Sequence, residues 1–146
     1  MPISEATIKQ EIKFWMRRKH QEEWSNPDRA DHCRQTKMML PEINFFFWKQ
    51  LMKYPRRMMN LVTQIYTGHS ILQKHLHIMK IVDDPTCEQC LEGVESVEHY
   101  LCECPAFGRP RYQIFGAMVF KKEELIHLSL RQILKFIEVS RRFESD

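Results

Sequence analysis

The stretch CEQCLEGVESVEHYLCECP, Cys87 to Pro105, packs four of the chain's five cysteines and one of its seven histidines into nineteen residues. Three thiolates and an imidazole form a soft, tetrahedral donor set that suits Zn²⁺ and leaves no coordination position open for water. A closed centre of this kind holds a fold before it does chemistry. Disulfides fit the pattern less well, because five is an odd count and no secretory signal pattern opens the chain. A redox Cys-x-x-Cys pair needs a strand before it and a helix after it, whereas Asp83-Asp84-Pro85 precedes Cys87.

Cys87, Cys90 and His99 are three ligands, and the fourth is open between Cys102 and Cys104. On an uninterrupted helix, His99 and Cys102 share a face while Cys104 points away, which favours Cys102. Against this, Pro105 pushes Cys104 out of the α region, so the helix ends there and the last turn can bring the Cys104 thiolate round.

Outward from this segment the chain reads as helices. Ile8, Ile12, Trp15 and Lys19 have helical spacing with Ser4 as an N-cap, predicting a helix from Ser4 to Trp24. Pro27 marks a turn, and a loop or short turn leads on to Arg34–Pro41. Pro41 suits a first helical position, followed by Ile43, Phe46, Phe47, Leu51 and Tyr54. Pro55 ends that helix and opens another, with Met58, Leu61, Val62, Ile65 and Tyr66 on one face and Gly68 at its left-handed end. Ser70 is placed to cap a helix carrying Ile71, Leu72, His75, Leu76 and Met79. Beyond the cysteines, residues 105–115 and 128–143 read as two more helices, the latter with Leu130, Ile133, Leu134, Ile137 and Phe143. No period-two strand stands out. The expected architecture is one all-α domain over residues 1–146, a small bundle of about six helices with a CCHC zinc knuckle inserted at 85–105.

Composition agrees: 43% of residues are hydrophobic and only 4 of 146 are Gly, as in a globular helical chain. The longest apolar run, residues 43–48, is far short of the roughly 20 needed for a membrane span, so the expectation is an intracellular protein of cytoplasm or nucleus, with no membrane partner. Charge is unevenly spread. Residues 1–80 carry 14 Lys and Arg against 7 acids, residues 109–146 carry 8 against 5, and residues 81–108 carry seven acids and no base. A polyanion would prefer the flanks.

The pieces RQTKMMLP (34–41), TGHSILQKHLH (67–77), DDPTCEQC (83–90) and VEHYLCECPAF (97–107), in this order, resemble the C-terminal tail of non-LTR (LINE-type, jockey-like) retrotransposon polyproteins, downstream of their reverse transcriptase and RNase H domains. The likeness covers roughly residues 8–140. It implies Cys87, Cys90, His99 and Cys104 as the ligands of Zn²⁺, with Cys102 and Cys33 as spare thiols. It also implies a role in nucleic-acid engagement, on RNA or DNA, alongside upstream retroelement domains. This chain departs from the pattern by standing without polymerase, RNase H or endonuclease modules.

A sister lineage sets a similar knuckle before a restriction-like endonuclease, but the 42 residues after Cys104 offer no convincing set of metal-binding carboxylates. The expected function is therefore non-catalytic. Arg17, Arg18, Lys19, Arg34, Lys37, Arg56 and Arg57 are the candidate phosphate contacts, although basic residues on helices are as often ordinary solvated faces. Tyr54, Tyr66 and Trp48 have faces on which bases can stack, yet aromatics at helical spacing more often belong to the core. The alternative is a purely structural or protein-interaction scaffold. Acids crowded round three thiolates repel phosphate, so the knuckle itself reads as scaffold under either function.

Overall fold

A computed structural model describes residues 4–144, in which regular structure is helical apart from one isolated antiparallel bridge, Thr86 to Val94. Seven α-helices occur among the described residues: α1 (Glu5–Trp24), α2 (Arg34–Met39), α3 (Phe45–Leu51), α4 (Arg56–Thr67), α5 (Gln73–Ile78), α6 (Gly108–Phe115) and α7 (Leu130–Ser140). The all-α class is as expected. A π turn spans His99–Glu103, and 3₁₀ turns cover Pro27–Arg29, Pro105–Phe107 and Lys122–His127.

Local chemistry sets most of the boundaries. Ser4 Oγ accepts from Thr7 N at 3.1 Å and starts α1. Gly68 stops α4 at φ +76°, a left-handed angle that a Cβ would strain, while its N–H still donates to Gln64 O. Ser129 and Gln132 close a reciprocal capping box on α7, with Gln132 N donating to Ser129 Oγ at 3.2 Å and Ser129 N to Gln132 Oε1 at 2.9 Å.

Three boundaries differ from expectation. Pro41 is not a first helical residue: α3 begins at Phe45 because Asn44 Oδ1 accepts from Phe47 N at 2.9 Å and provides a true cap. Arg34–Met39, to which the spacing assigns no helix, is the short helix α2, entered through Cys33 in a left-handed conformation (φ +57°). Ser70 does not cap α5. The orphan N–H of Gln73 goes instead to Glu95 Oε2 at 2.9 Å, and that of Lys74 to Glu95 O at 3.1 Å.

The core lies where α4 and α7 meet the cysteine segment. Val62, Ile65 and Tyr66 from α4 and Ile133, Leu134, Phe136 and Ile137 from α7 are buried, as are Val97, Tyr100, Leu101, Phe107 and Phe143. The Tyr100 ring stands 5.2 Å from Phe107, 5.1 Å from Phe136 and 5.4 Å from Phe143 between centroids, and its hydroxyl meets Ser140 Oγ at 2.6 Å. Aromatic pairs in such arrangements add about 0.5–1.5 kcal/mol each beyond area burial. The segment carrying the cysteines is thus part of the core. Helix α1 is the opposite case, with no buried residue and with Ile8, Ile12, Phe14, Trp15 and Met16 exposed.

Candidate metal centre

The first two thiols are placed by a tight hairpin. Cys87 N donates to Gly93 O at 2.7 Å, Glu95 N to Pro85 O at 2.9 Å, and Leu91 N back to Cys87 O at 2.8 Å with Leu91 at φ +60°. This folds Cys90 back over Cys87. The second pair comes from a helical turn that begins when His99 N donates to Ser96 Oγ at 3.0 Å. Its last residue, Cys104, sits at φ −52°, ψ 119°, out of the α region as a residue before proline should be.

The ligand atoms of Cys87, Cys90, His99 and Cys104 all lie within 4.8 Å of one another. Cys87 Sγ is 3.9 Å from Cys104 Sγ, and Cys90 Sγ is 3.3 Å from His99 Nε2. Ligands held about 2.0–2.3 Å from a tetrahedral ion are separated by about 3.5–3.8 Å, so the group fits a metal ion of that size. The four residues that the resemblance implied are the four brought together. Cys102 is buried and Cys33 is exposed, and neither belongs to the cluster.

The thiols differ in acidity. Burial pushes Cys104 and Cys102 each up to about 12 and raises Cys87. At Cys90 burial also raises the value, but backbone N–H groups, that of Glu92 foremost, outweigh it and the net shift is down. Metal binding here is therefore coupled to proton release and to the fold. His99 faces the cluster through Nε2, and Glu103 Oε2 stands 4.0 Å from its Nδ1, beyond hydrogen-bond reach but on the side where a carboxylate favours the Nδ1–H tautomer.

Two arginines that spacing did not reveal enter this acidic region from outside. Glu95 is fully buried and accepts from Arg142 Nε at 2.6 Å and Nη2 at 2.8 Å, while its Oε1 is 3.8 Å from Cys87 Sγ. The bidentate pair offsets a carboxylate that would otherwise repel a Cys87 thiolate. Arg111, also fully buried, donates from Nε to Leu101 O at 2.8 Å, from Nη2 to Cys104 O at 2.9 Å and Tyr100 O at 3.2 Å, and from Nη1 to Met118 O. No local signal identifies either residue. A charge count cut along the sequence assigns residues 81–108 no base, because both counter-charges arrive through space.

The basic candidates are not brought to one surface. Arg17 and Arg18 line a groove of about 960 Å³ with Phe14, Phe45 and Phe46, and Arg17 lies over the Phe45 ring at 5.6 Å. Lys19 pairs with Glu22 at 2.6 Å and Arg34 reaches Asp31 at 4.0 Å. Lys37 donates to Arg29 O at 2.7 Å and lies 5.6 Å from the Trp24 ring. Arg56 and Arg57 open α4, and Arg57 lines a different groove with Tyr54, Arg131 and Phe143. Among the aromatics considered for stacking, Tyr66 is buried against Phe47 and drops out, while Tyr54 is exposed beside Arg57; Phe14, Phe45 and Phe46 are exposed rings in the groove of Arg17 and Arg18.

Comparison of the chain with family models, curated proteins and solved structures gave no match. Among the described residues, no helix is long and apolar enough to cross a membrane.

Proposed function

We propose that this chain is a non-catalytic module, derived from the tail of a retrotransposon polyprotein, that binds Zn²⁺ as a structural staple and assists nucleic-acid engagement through its basic helices. Zinc supplies a fixed tetrahedral cross-link between the hairpin and the turn that carries Tyr100 into the core. The donor chemistry supports zinc over other divalent ions: three thiolates and one imidazole, closed on all sides, are the set zinc takes in structural sites.

The observation that carries the nucleic-acid reading is the groove of Arg17 and Arg18. Two cations beside three exposed phenylalanine rings combine phosphate attraction with faces on which unpaired bases stack. The knuckle's own stretch of chain lacks this combination, since residues 81–108 carry the further acids Asp83, Asp84, Glu88, Glu92, Glu98 and Glu103 and no Lys or Arg. Engagement therefore belongs to the flanking helices. The scaffold reading draws on a separate observation, the exposed apolar residues Ile8, Ile12 and Trp15 of α1, which suit a protein neighbour.

The test is affinity for single-stranded and duplex oligonucleotides as a function of salt, for the native chain and for Arg17→Gln/Arg18→Gln. The native chain should weaken steeply with salt, and loss of two phosphate contacts should lower the slope of log K against log salt by about 1.4–1.8. Binding with no salt dependence, or an unaltered slope in the double variant, removes the nucleic-acid reading and leaves the scaffold.

A further inference from the structure

Two cysteines compete for one ligand position. In an α-helix Cys102, three residues after His99, would share its face, and Cys104, five residues after, would not. The π turn over His99–Glu103 reverses this. Cys104 N donates to His99 O at 2.7 Å, a five-residue step that widens the turn and returns residue 104 to the histidine's side.

That turn leaves carbonyls stranded. An α-type bond to Leu101 O and a π-type bond to Tyr100 O would both have to come from residue 105, which is a proline and has no N–H. Tyr100 and Leu101 are fully buried, so water cannot substitute. Cys102 O is met by Phe120 N at 3.2 Å. Tyr100 O and Leu101 O are met by the Arg111 guanidinium, which also takes Cys104 O. Arg111 forms no ion pair with a carboxylate among the described residues; its partners are carbonyl oxygens alone. A cation so buried calls for an anion nearby, and three thiolates on a divalent ion leave one negative charge in excess.

We propose that Arg111 selects Cys104 over Cys102 as the metal's fourth ligand, its fork holding the π turn and its charge offsetting the metal–thiolate centre. Arg111 is a positioning residue, and the proposal rests on the metal-binding reading above. Lysine cannot replace it, because a single ammonium does not reach carbonyls on both sides of the turn in the plane of a guanidinium.

Co²⁺ in place of Zn²⁺ tests this through thiolate-to-metal charge-transfer absorption, whose intensity follows the number of bound thiolates. With Arg111 present, Cys104→Ser should abolish stoichiometric binding and with it the absorption, whereas Cys102→Ser should leave the three-thiolate band unchanged. In Arg111→Met and Arg111→Lys, Co²⁺ affinity should fall about 10- to 100-fold, and Cys102→Ser should now lower the absorption as well. Arg111 variants that keep native affinity and depend on Cys104 alone overturn the proposal. So does a lysine variant that matches the native chain, since charge without the fork would then suffice. If the variants do not fold, the native chain decides: the Arg111 Nε–H resonance should resist solvent exchange with Zn²⁺ bound and exchange freely after chelation, and rapid exchange with metal bound overturns the proposal. No charge-transfer band in the native chain would mark failure of the metal reading itself.

Discussion

The knuckle and α1 are segments of similar length built on opposite terms. Between Cys87 and Phe107, seven hydrophobic or cysteine side chains are buried, Glu95 and His99 are buried with them, and the segment is tied to α5, α6 and the residues after α7 by side chains of Glu95, Arg111 and Arg142. Helix α1 buries nothing and is attached near its C-terminal end, where Trp24 Nε1 donates to Leu40 O at 3.1 Å and Ile43 N to Gln21 Oε1 at 2.9 Å. The difference teaches that helical periodicity reports a helix, not its burial. Ile8, Ile12 and Trp15 have the spacing of a core stripe and face solvent.

The sharpest way to break the contrast is at the metal. Cys104→Ser should abolish stoichiometric Zn²⁺ binding, measured by atomic absorption, and remove the near-ultraviolet circular dichroism of the Tyr100 cluster, since structural zinc contributes about 10–16 kcal/mol of binding free energy to folding. Cys102→Ser should retain one Zn²⁺ per chain. If the two variants exchange behaviours, the ligand set is wrong.

A smaller break is at Arg142. Arg142→Met strands the Glu95 carboxylate in the interior beside Cys87, and chemical denaturation should show a loss of about 3–5 kcal/mol. Glu95→Gln/Arg142→Met removes both charges and should recover part of it; a double variant no better than the single would mean that the pair's charge is not what matters.

The smallest effect belongs to α1. Ile12→Ser lies on an exposed helix and should change stability by no more than about 0.5 kcal/mol. A larger loss in the isolated chain would show that α1 folds back onto the body in solution, erasing the contrast.

Much of this was legible from residues alone, and what was not has a common cause. Ser4 and Gly68 act within a few positions of themselves, so helix ends could be read from them; α2 escaped because it is six residues long and starts from a left-handed cysteine without a capping side chain. The Cys-x₂-Cys pair and His99 were visible as ligands. Helix geometry by itself pointed to Cys102, because the π turn that favours Cys104 depends on carbonyls whose donors lie seven to eleven positions downstream in Arg111. Glu95 is one of seven acids in residues 81–108, and nothing near it in sequence distinguishes it, because its partners are Arg142 and the start of α5.

The reach of Glu95 has a consequence in time. Its carboxylate and Arg142 are 47 positions apart. At about 5–20 residues per second, synthesis separates them by roughly 2–9 s. During that interval the hairpin can bring its cysteines together, but the carboxylate beside Cys87 has no counter-charge, and the first turn of α5 has a cap that is itself better left in water. Each nascent chain therefore passes through a stage in which the Glu95 carboxylate has been made and the arginine that neutralises it has not.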